Sequence, residues 1–368
     1  MADERSPLET EIRRLIAAAG PMPVAEYMRL CLTHPQYGYY VTRDPLGAAG
    51  DFITAPEVSQ MFGELIGVWM AAVWRQMGAP ADVRIIELGP GRGTMMADAL
   101  HAARVVKDFY DAVVLHLIEV SPRLQELQRQ RLQAFGLQIV WHTALADVPG
   151  GPGIIVANEF IDTLPVHQAV KRNDGWHQRV VGIGEEGKLT FGVGRDPLRL
   201  FEATLPPAVR RAPEGAIFEW RVDSIALELG QRVRTGGAAL IVDYGHSKSG
   251  LGDTLQAVAD HTFVDPLAAP GQADLTAHVD FEALAHSAES IGAQCHGPLP
   301  QRDLLFNLGI KERAARLTAR APGEAAAEVG LALARLTEPG ERGMGELFKA
   351  LAIADRKLDR LPGFVALT

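Results

Sequence analysis

The sequence predicts an α/β fold built on a doubly wound parallel sheet, and three observations predict it. Short apolar runs of strand length alternate with helical patterns from Val83 onwards. A glycine-rich turn at residues 89–94 directly follows the first of these runs. An acidic residue, Glu119, ends the second run, where Rossmann-type sheets place a carboxylate against ribose hydroxyls. Together these features indicate parallel β-α-β units with a nucleotide-type binding edge.

The first 80 residues predict a helical region that we expect to act as a lid. Apolar residues at helical spacing predict helices over 8–19 and 24–32, and Pro56 begins a third predicted helix over 56–77. Between them lie a tyrosine-rich loop at 37–40 and a glycine-rich segment at 47–54. This region is therefore predicted as an N-terminal unit, 1–80.

The remaining chain predicts a sheet core with one insertion. The predicted strands are 83–88, 113–119, 138–141, 153–157 and 238–243, and the predicted helices are 94–106, 124–135, 224–234, 280–291, 311–320 and 323–337. Turn signals such as Asn173-Asp174-Gly175 predict hairpins over 166–200. We expect a core of 81–165 and 235–368 and a β-rich, substrate-binding insertion at 166–234.

Composition excludes several classes of protein. The 368 residues carry 45 acidic and 36 basic side chains, a net charge of −9, which argues against a nucleic-acid binder. The two cysteines, Cys31 and Cys295, lie far apart, so a disulfide scaffold and a zinc ribbon are excluded. No apolar run reaches the roughly 18 residues of a membrane span. The first 20 residues are acidic and lack an apolar leader segment, which predicts a cytoplasmic protein.

The glycine-rich turn has the spacing G-x-G-x-G-T. Its third glycine comes one residue earlier than in the dinucleotide fingerprint, so the turn matches a dinucleotide site poorly and resembles the first motif of S-adenosyl-L-methionine (SAM) methyltransferases. Glu87 either meets the methionine ammonium or caps the loop. A plain strand–helix turn beside a surface glutamate is the alternative to any cofactor site. The predicted cofactor-binding residues are Glu87, Gly89, Pro90, Gly91, Gly93, Thr94, Glu119 and, from the preceding segment, Thr54.

Five segments together resemble the MidA family of class I SAM-dependent methyltransferases, which includes the mitochondrial complex I assembly factor. The resemblance implies a Rossmann-like methyltransferase fold, SAM as cofactor, and N-methylation of a protein arginine. It also implies a respiratory complex I subunit as the protein partner. In family order, the segments are GDFITAPE (50–57), ELGPGRGT (87–94), ANEFID (157–162), IVDYG (241–245) and DLTAHVDF (274–281).

Asn158, Glu159 and Asp162 are the first candidates for binding the acceptor arginine. They follow the fourth predicted strand, and ligands of doubly wound sheets lie beyond the carboxyl ends of strands. Carboxylates match a guanidinium in fork geometry and can assist the loss of its proton. The alternative is that Asn158 caps a helix that contains Glu159 in its first turn.

Asp51 and Thr54 are further candidates, with Asp51 assigned to the acceptor and Thr54 to the cofactor. Neighbouring tyrosines could stack on a cation in such a lid, although Thr54 fits a helix cap before Pro56 equally well. His278 has no partners at metal-ligand spacing, so no metal site is predicted. Two other functions remain open, a non-catalytic SAM-binding assembly chaperone and a Rossmann dehydrogenase, and the early third glycine argues against the second.

Overall fold

The computed structural model describes residues 5–43, 54–340 and 343–364. None of the helices in these ranges is both long and apolar enough to cross a membrane. The helices are α1 (Pro7–Ala19), α2 (Val24–Thr33), α3 (Tyr39–Thr42), α4 (Ala55–Val58), α5 (Gln60–Gln76), α6 (Thr94–Ala103), α7 (Lys107–Ala112), α8 (Pro122–Leu132), α9 (Phe201–Thr204), α10 (Ser224–Val233), α11 (Phe281–Ser290), α12 (Gln301–Asn307), α13 (Ile310–Thr318) and α14 (Glu324–Thr337).

The strands are β1 (Met22–Pro23), β2 (Val83–Leu88), β3 (Val113–Ile118), β4 (Ile139–His142), β5 (Gly153–Asn158), β6 (His167–Arg172), β7 (Gly175–Ile183), β8 (Leu189–Pro197), β9 (Ile217–Trp220), β10 (Gly237–His246), β11 (Gln256–Ala259), β12 (Thr262–Val264), β13 (Asp274–Thr276), β14 (Val279–Asp280), β15 (Gln294–Pro300) and β16 (Phe348–Ala354).

The chain divides into two compact units. The large unit comprises Ile53–Ile161, Asp223–Ser247 and Phe281–Thr368. The small unit comprises Met1–Phe52, Asp162–Val222 and Lys248–Asp280. The three-part division expected from the sequence stays a prediction.

The large unit is built on a sheet with the strand order β15-β16-β10-β5-β2-β3-β4. The five strands from β10 to β4 in this order are parallel, and β16 pairs antiparallel with β10 and β15. The chain runs outward from β2 through β3 to β4 and then returns to β5 on the other side of β2. This reversal confirms the predicted doubly wound fold. It creates a switch point between β2 and β5, where such sheets bind ligands.

The central strands are apolar because helices cover both faces of a parallel sheet. Ile85, Leu115 and Ile154 are completely buried in β2, β3 and β5. Burying each such side chain contributes roughly 1.5–3 kcal/mol. These neighbouring strands therefore form a firm base for the loops at their carboxyl ends.

Two predicted helices are interrupted in the structure. The predicted helix 56–77 breaks at Ser59, whose backbone is extended and whose hydroxyl accepts the N–H of Met61, so that α5 begins anew. The predicted helix 94–106 ends at Ala103, and α7 begins at Lys107. The strands β15 and β16 were not predicted.

The small unit contains a mixed helical and β structure. Its larger sheet has the order β1-β7-β6-β9, with β8 paired to β7, and its second sheet has the order β12-β11-β13. The hairpins predicted over 166–200 are confirmed, because β6, β7 and β8 pair antiparallel in sequence. The predicted tyrosine-rich loop instead contains the short helix α3.

Candidate active site

The glycine loop joins β2 to α6 at the switch point of the large unit. Gly89, Gly91 and Gly93 have φ values of +61°, +53° and +75°. A Cβ atom on Gly89 would lie 2.8 Å from Cδ2 of Phe160. The carbonyl of Pro90 accepts the N–H of Gly93 at 2.7 Å, which closes the turn directly before α6. The loop therefore requires glycine and brings bare backbone to the edge of the sheet.

Glu119 follows β3 and is almost completely buried. One carboxylate oxygen accepts the N–H of Ser121 at 2.8 Å, and the other accepts the side-chain amide of Gln128 at 3.2 Å. Burial outweighs these hydrogen bonds and raises the pKa of Glu119 to about 7. The carboxyl group is thus fixed in position at the end of the strand next to β2.

Gln128 connects Glu119 to the glycine loop. Its Nε2 also donates to the carbonyl of Gly91 at 2.8 Å, and its Oε1 accepts the indole N–H of Trp141 at 2.8 Å. Sequence reasoning missed Gln128, although a signal was present. Leu124, Gln128 and Leu132 share one face of α8 at a spacing of four residues, and all three are buried. A glutamine between two leucines on one helix face is expected to be buried. Since buried polar groups form hydrogen bonds, it is also expected to have a polar partner.

Glu87 is buried in β2, beside the strand that leads to Glu119. Burial and the negative charge of Glu119 raise its pKa to about 8. Within the described part of the chain, its buried Oε2 atom has no hydrogen-bond partner. A buried acceptor of this kind suits a cationic donor such as the ammonium group of SAM. Together with the bare glycine backbone, these residues fit that cofactor.

Glu159 lies directly after β5, on the other side of the switch point from Glu119. Its Oε1 accepts the N–H of Ala55 at 3.1 Å and the side-chain amide of Asn158 at 3.0 Å. Its backbone is left-handed, with φ of +50°, which is uncommon for a residue other than glycine. Such strain is concentrated at functional sites, and here it fixes the direction of the side chain.

Asp243 holds the turn that contains Glu159. This aspartate of β10 is fully buried, and its Oδ2 accepts the N–H groups of Phe160 and Ile161 at 3.1 and 2.9 Å. The carbonyl of Val242 accepts the N–H of Glu159 at 2.9 Å. Since β10 lies next to β5, the neighbouring strand positions the whole turn.

The two predicted threonines have different surroundings within the large unit. The hydroxyl of Thr94 donates to Glu57 at 2.5 Å and accepts from Arg131 at 2.5 Å, so it links α4, α6 and α8. Thr54 precedes α4, and its carbonyl accepts the N–H groups of the first turn, at Glu57 and Val58. Thr54 thus stands next to Ala55, whose N–H binds Glu159.

Asp162 belongs to the small unit and is buried there. Its carbonyl accepts hydrogen bonds from the guanidinium of Arg221 at 3.0 Å and from the N–H of Ala277 at 3.1 Å. Arg221 also donates to the carbonyls of Leu164 and His278, so it holds the backbone around Asp162. Asp51 lies outside the described residues. No group of three metal-ligating side chains occurs in the ranges that the structure describes.

Comparison with known proteins identifies relatives along most of the chain. The family model Methyltransf_28, which describes S-adenosyl-L-methionine-dependent methyltransferases, matches residues 65–299. The Drosophila melanogaster protein named protein arginine methyltransferase NDUFAF7 homolog, mitochondrial, is 38% identical over 376 residues, covering 94% of this chain and 84% of that protein. Its human counterpart is 38% identical over 339 residues, covering 84% and 74%.

Solved structures agree with these relatives. A COG1565 superfamily member from Burkholderia thailandensis, crystallised with S-adenosyl-homocysteine, has a TM-score of 0.85 and 29% identity, covering 97% of this chain and 94% of that one. The predicted SAM cofactor is confirmed. The predicted cytoplasmic localisation is wrong by this comparison, because the curated relatives are mitochondrial proteins.

Proposed function

The chain belongs to the MidA-like Methyltransf_28 family of SAM-dependent methyltransferases, and from this premise we propose that it methylates arginine side chains of a protein. The family resemblance predicted from the sequence is confirmed, and the protein is a SAM-dependent methyltransferase. Relatives that are 37–41% identical over the aligned residues carry the name protein arginine methyltransferase. Their shared name supports arginine as the acceptor here.

We assign the cofactor to the glycine loop and the two carboxyl groups beside it. SAM supplies an electrophilic methyl group on a sulfonium. In this proposal Glu119 accepts hydrogen bonds from the ribose hydroxyls and Glu87 faces the methionine ammonium. The loop from Gly89 to Thr94 presents its backbone to the cofactor. The orphaned Oε2 of Glu87 and the bare backbone at Gly89 support this assignment.

We assign the acceptor guanidinium to Glu159, and one observation carries this choice. The carboxylate of Glu159 is oriented by Ala55 and Asn158 at the same switch point as the glycine loop. A carboxylate matches the fork geometry of a guanidinium, with two parallel N–H···O hydrogen bonds. Glu159 would align the acceptor nitrogen and receive the proton that it loses on methylation. Asn158 orients this carboxylate.

Asp162 and Asp51 keep the acceptor roles predicted for them from the sequence. Asp162 follows Glu159 by three residues in the chain. The family resemblance further supports a respiratory complex I subunit as the protein substrate. The methylation assay described next tests the acceptor roles of these residues and the identity of the protein substrate.

The proposal is tested by incubating the protein with radiolabelled SAM and complex I core subunits, followed by mass spectrometry of arginine-containing peptides. We expect label on arginine with the wild type and strongly reduced label with Glu159→Gln. Glu126→Gln, a matched change at an exposed position of α8, should retain full activity. SAM binding is measured in parallel by calorimetry.

Two results would contradict the proposal. If label appears on a residue type other than arginine, the acceptor assignment is wrong. If SAM binds with full affinity but no subunit is labelled, and Glu159→Gln still supports complex I assembly in cells, the non-catalytic chaperone is the better account.

A further inference from the structure

A second cavity, of about 450 Å³, opens in the large unit at the opposite edge of the sheet from the glycine loop. Its walls come from the amino-terminal ends of β2 and β5, the segment 146–151 and the second half of α10. Parallel strands place their two ends on opposite edges, so this cavity is separate from the methyltransferase site. Its volume lies within the range of small-molecule binding sites.

Arg84 brings a guanidinium to this cavity from the start of β2. Its side chain lies over the backbone of Gly151, where a Cβ atom would approach Nη1 of Arg84 to 2.3 Å. Gly151 has a φ of +136°, so both its backbone and its missing side chain make room for the arginine. Within the described ranges, the guanidinium has no hydrogen bond or ion pair. The guanidinium therefore keeps its hydrogen-bond donors available to an anion in the cavity.

Arg232 adds a second positive charge from α10. Its Nη2 donates to the carbonyls of Leu145 and Val148 at 2.5 and 2.8 Å, and these bonds fix the wall that contains Val148. Burial, the neighbouring His142 and the charges of both arginines lower the pKa of His116 to about 4. The positive charges of Arg84 and Arg232 both influence His116, so the two guanidinium groups lie in the same part of the large unit.

Glu228 contributes a buried acceptor to the same cavity. Its Oε1 has no hydrogen-bond partner among the residues that the structure describes, and Nε of Arg232 is 3.9 Å away, too far for a hydrogen bond. An unsatisfied buried acceptor destabilises the folded state. A hydroxyl or amino group of a ligand would remove this destabilisation.

We propose that this cavity binds a small organic anion, through a carboxylate or phosphate on Arg84 and a hydroxyl or amino donor on Glu228. The guanidinium fork of an arginine matches both kinds of oxyanion. Apolar side chains that line the same cavity, among them Ile86, Val148 and Ile155, would contact the body of the ligand. The binding of such an anion does not depend on the methylated substrate.

Calorimetric titration of the full chain tests this proposal with three matched probes. They are para-hydroxybenzoate, para-hydroxyphenyl phosphate and the neutral para-hydroxybenzamide. We expect saturable binding of at least one anion and none of the amide. The comparison of the two anions decides between a carboxylate and a phosphate ester. Arg84→Met should weaken anion binding at least tenfold, while SAM affinity stays unchanged and so reports an intact fold.

Arg75→Met removes the same charge at an exposed position of α5 and serves as the control. If Arg84→Met does not fold, Arg84→Lys keeps the charge, loses the fork and should still weaken binding. The proposal is overturned if neither anion binds saturably at millimolar concentration. It is also overturned if the Arg84 and Arg75 variants bind the anion as tightly as each other.

Discussion

Glu87 and Glu119 are buried carboxyl groups near the carboxyl ends of adjacent parallel strands, and both have raised pKa values. Burial and the charge of Glu119 raise the pKa of Glu87 to about 8, and burial raises that of Glu119 to about 7. Both buried acids hold their protons more tightly than free carboxyl groups do. A cationic ligand would favour their ionised, carboxylate forms. The predictions for cofactor binding and for stability follow from this pair.

SAM affinity should increase as the pH rises from 6 to 7.5. In the ligand-free pocket Glu119, with a pKa of about 7, loses its proton within this range, and Glu87, with a pKa of about 8, keeps most of its proton until the pH approaches 8. Binding a cation favours the release of these protons. One released proton changes the binding constant by at most about tenfold per pH unit. Calorimetry in buffers of different ionisation enthalpy measures the proton release directly. Glu87→Gln should bind more weakly and with a flatter pH profile, and an unchanged profile would exclude Glu87 as the responsible group.

Glu87→Gln should stabilise the ligand-free protein at pH 8. The native state binds the proton of Glu87 more tightly than the unfolded chain does. Its contribution is therefore favourable at acidic pH and is lost as the pH rises through about 8. We expect a gain of about 1–3 kcal/mol in the free energy of unfolding at pH 8 and a smaller effect at pH 5. Denaturant unfolding at both pH values measures the difference, and a larger gain at pH 5 would contradict the assignment.

Gln128→Leu should weaken both SAM binding and the fold. The variant removes the hydrogen bonds to Gly91, Glu119 and Trp141, so the loop and the strand-end acid lose their common support. We expect a loss of roughly tenfold or more in affinity and of roughly 1–3 kcal/mol in stability. Gln130→Leu, exposed on the same helix, is the matched control. Equal behaviour of the two variants would show that the buried network has no role.

Gly89→Ala should disrupt the loop. The new methyl group would lie 2.8 Å from the ring of Phe160, and the residue would have to keep a φ of +61°. Strain of this kind costs roughly 1–3 kcal/mol. Gly330→Ala in α14, where nothing lies within 4 Å of the new atom, should instead be neutral or stabilising. Thermal unfolding and SAM titration of both variants measure the contrast. A Gly89 variant that behaves like the Gly330 variant would contradict the loop geometry.

Local patterns predicted the centre of the sheet well and its antiparallel edge poorly. Strands β2, β3 and β5 are apolar runs bounded by turns, which can be recognised locally. The strand β16 has the sequence FKALAIA, whose alanines fit a helix equally well. Only its pairing with β10, about a hundred residues earlier in the chain, makes it a strand. Such long-range pairing leaves no local signal.

The sequence predicted those site residues whose type is required by the local element that they occupy, such as a tight loop or the end of a strand. Gly89 and Glu119 follow from the loop and the strand end that they occupy. The role of Asp243 could not be predicted from the sequence, because its hydrogen bonds to the turn after β5 join residues about 80 positions apart. The left-handed backbone of Glu159 depends on that same turn, and no sequence pattern marks it.

A crystal structure of the protein with S-adenosyl-homocysteine tests the central claim most directly. The account predicts the nucleoside at the glycine loop, with its ribose hydroxyls within hydrogen-bond distance of the Glu119 carboxylate. It also predicts Glu159 facing the sulfur side of the ligand. A nucleoside bound away from the loop, or a Glu119 carboxylate that does not touch it, would contradict the proposed site.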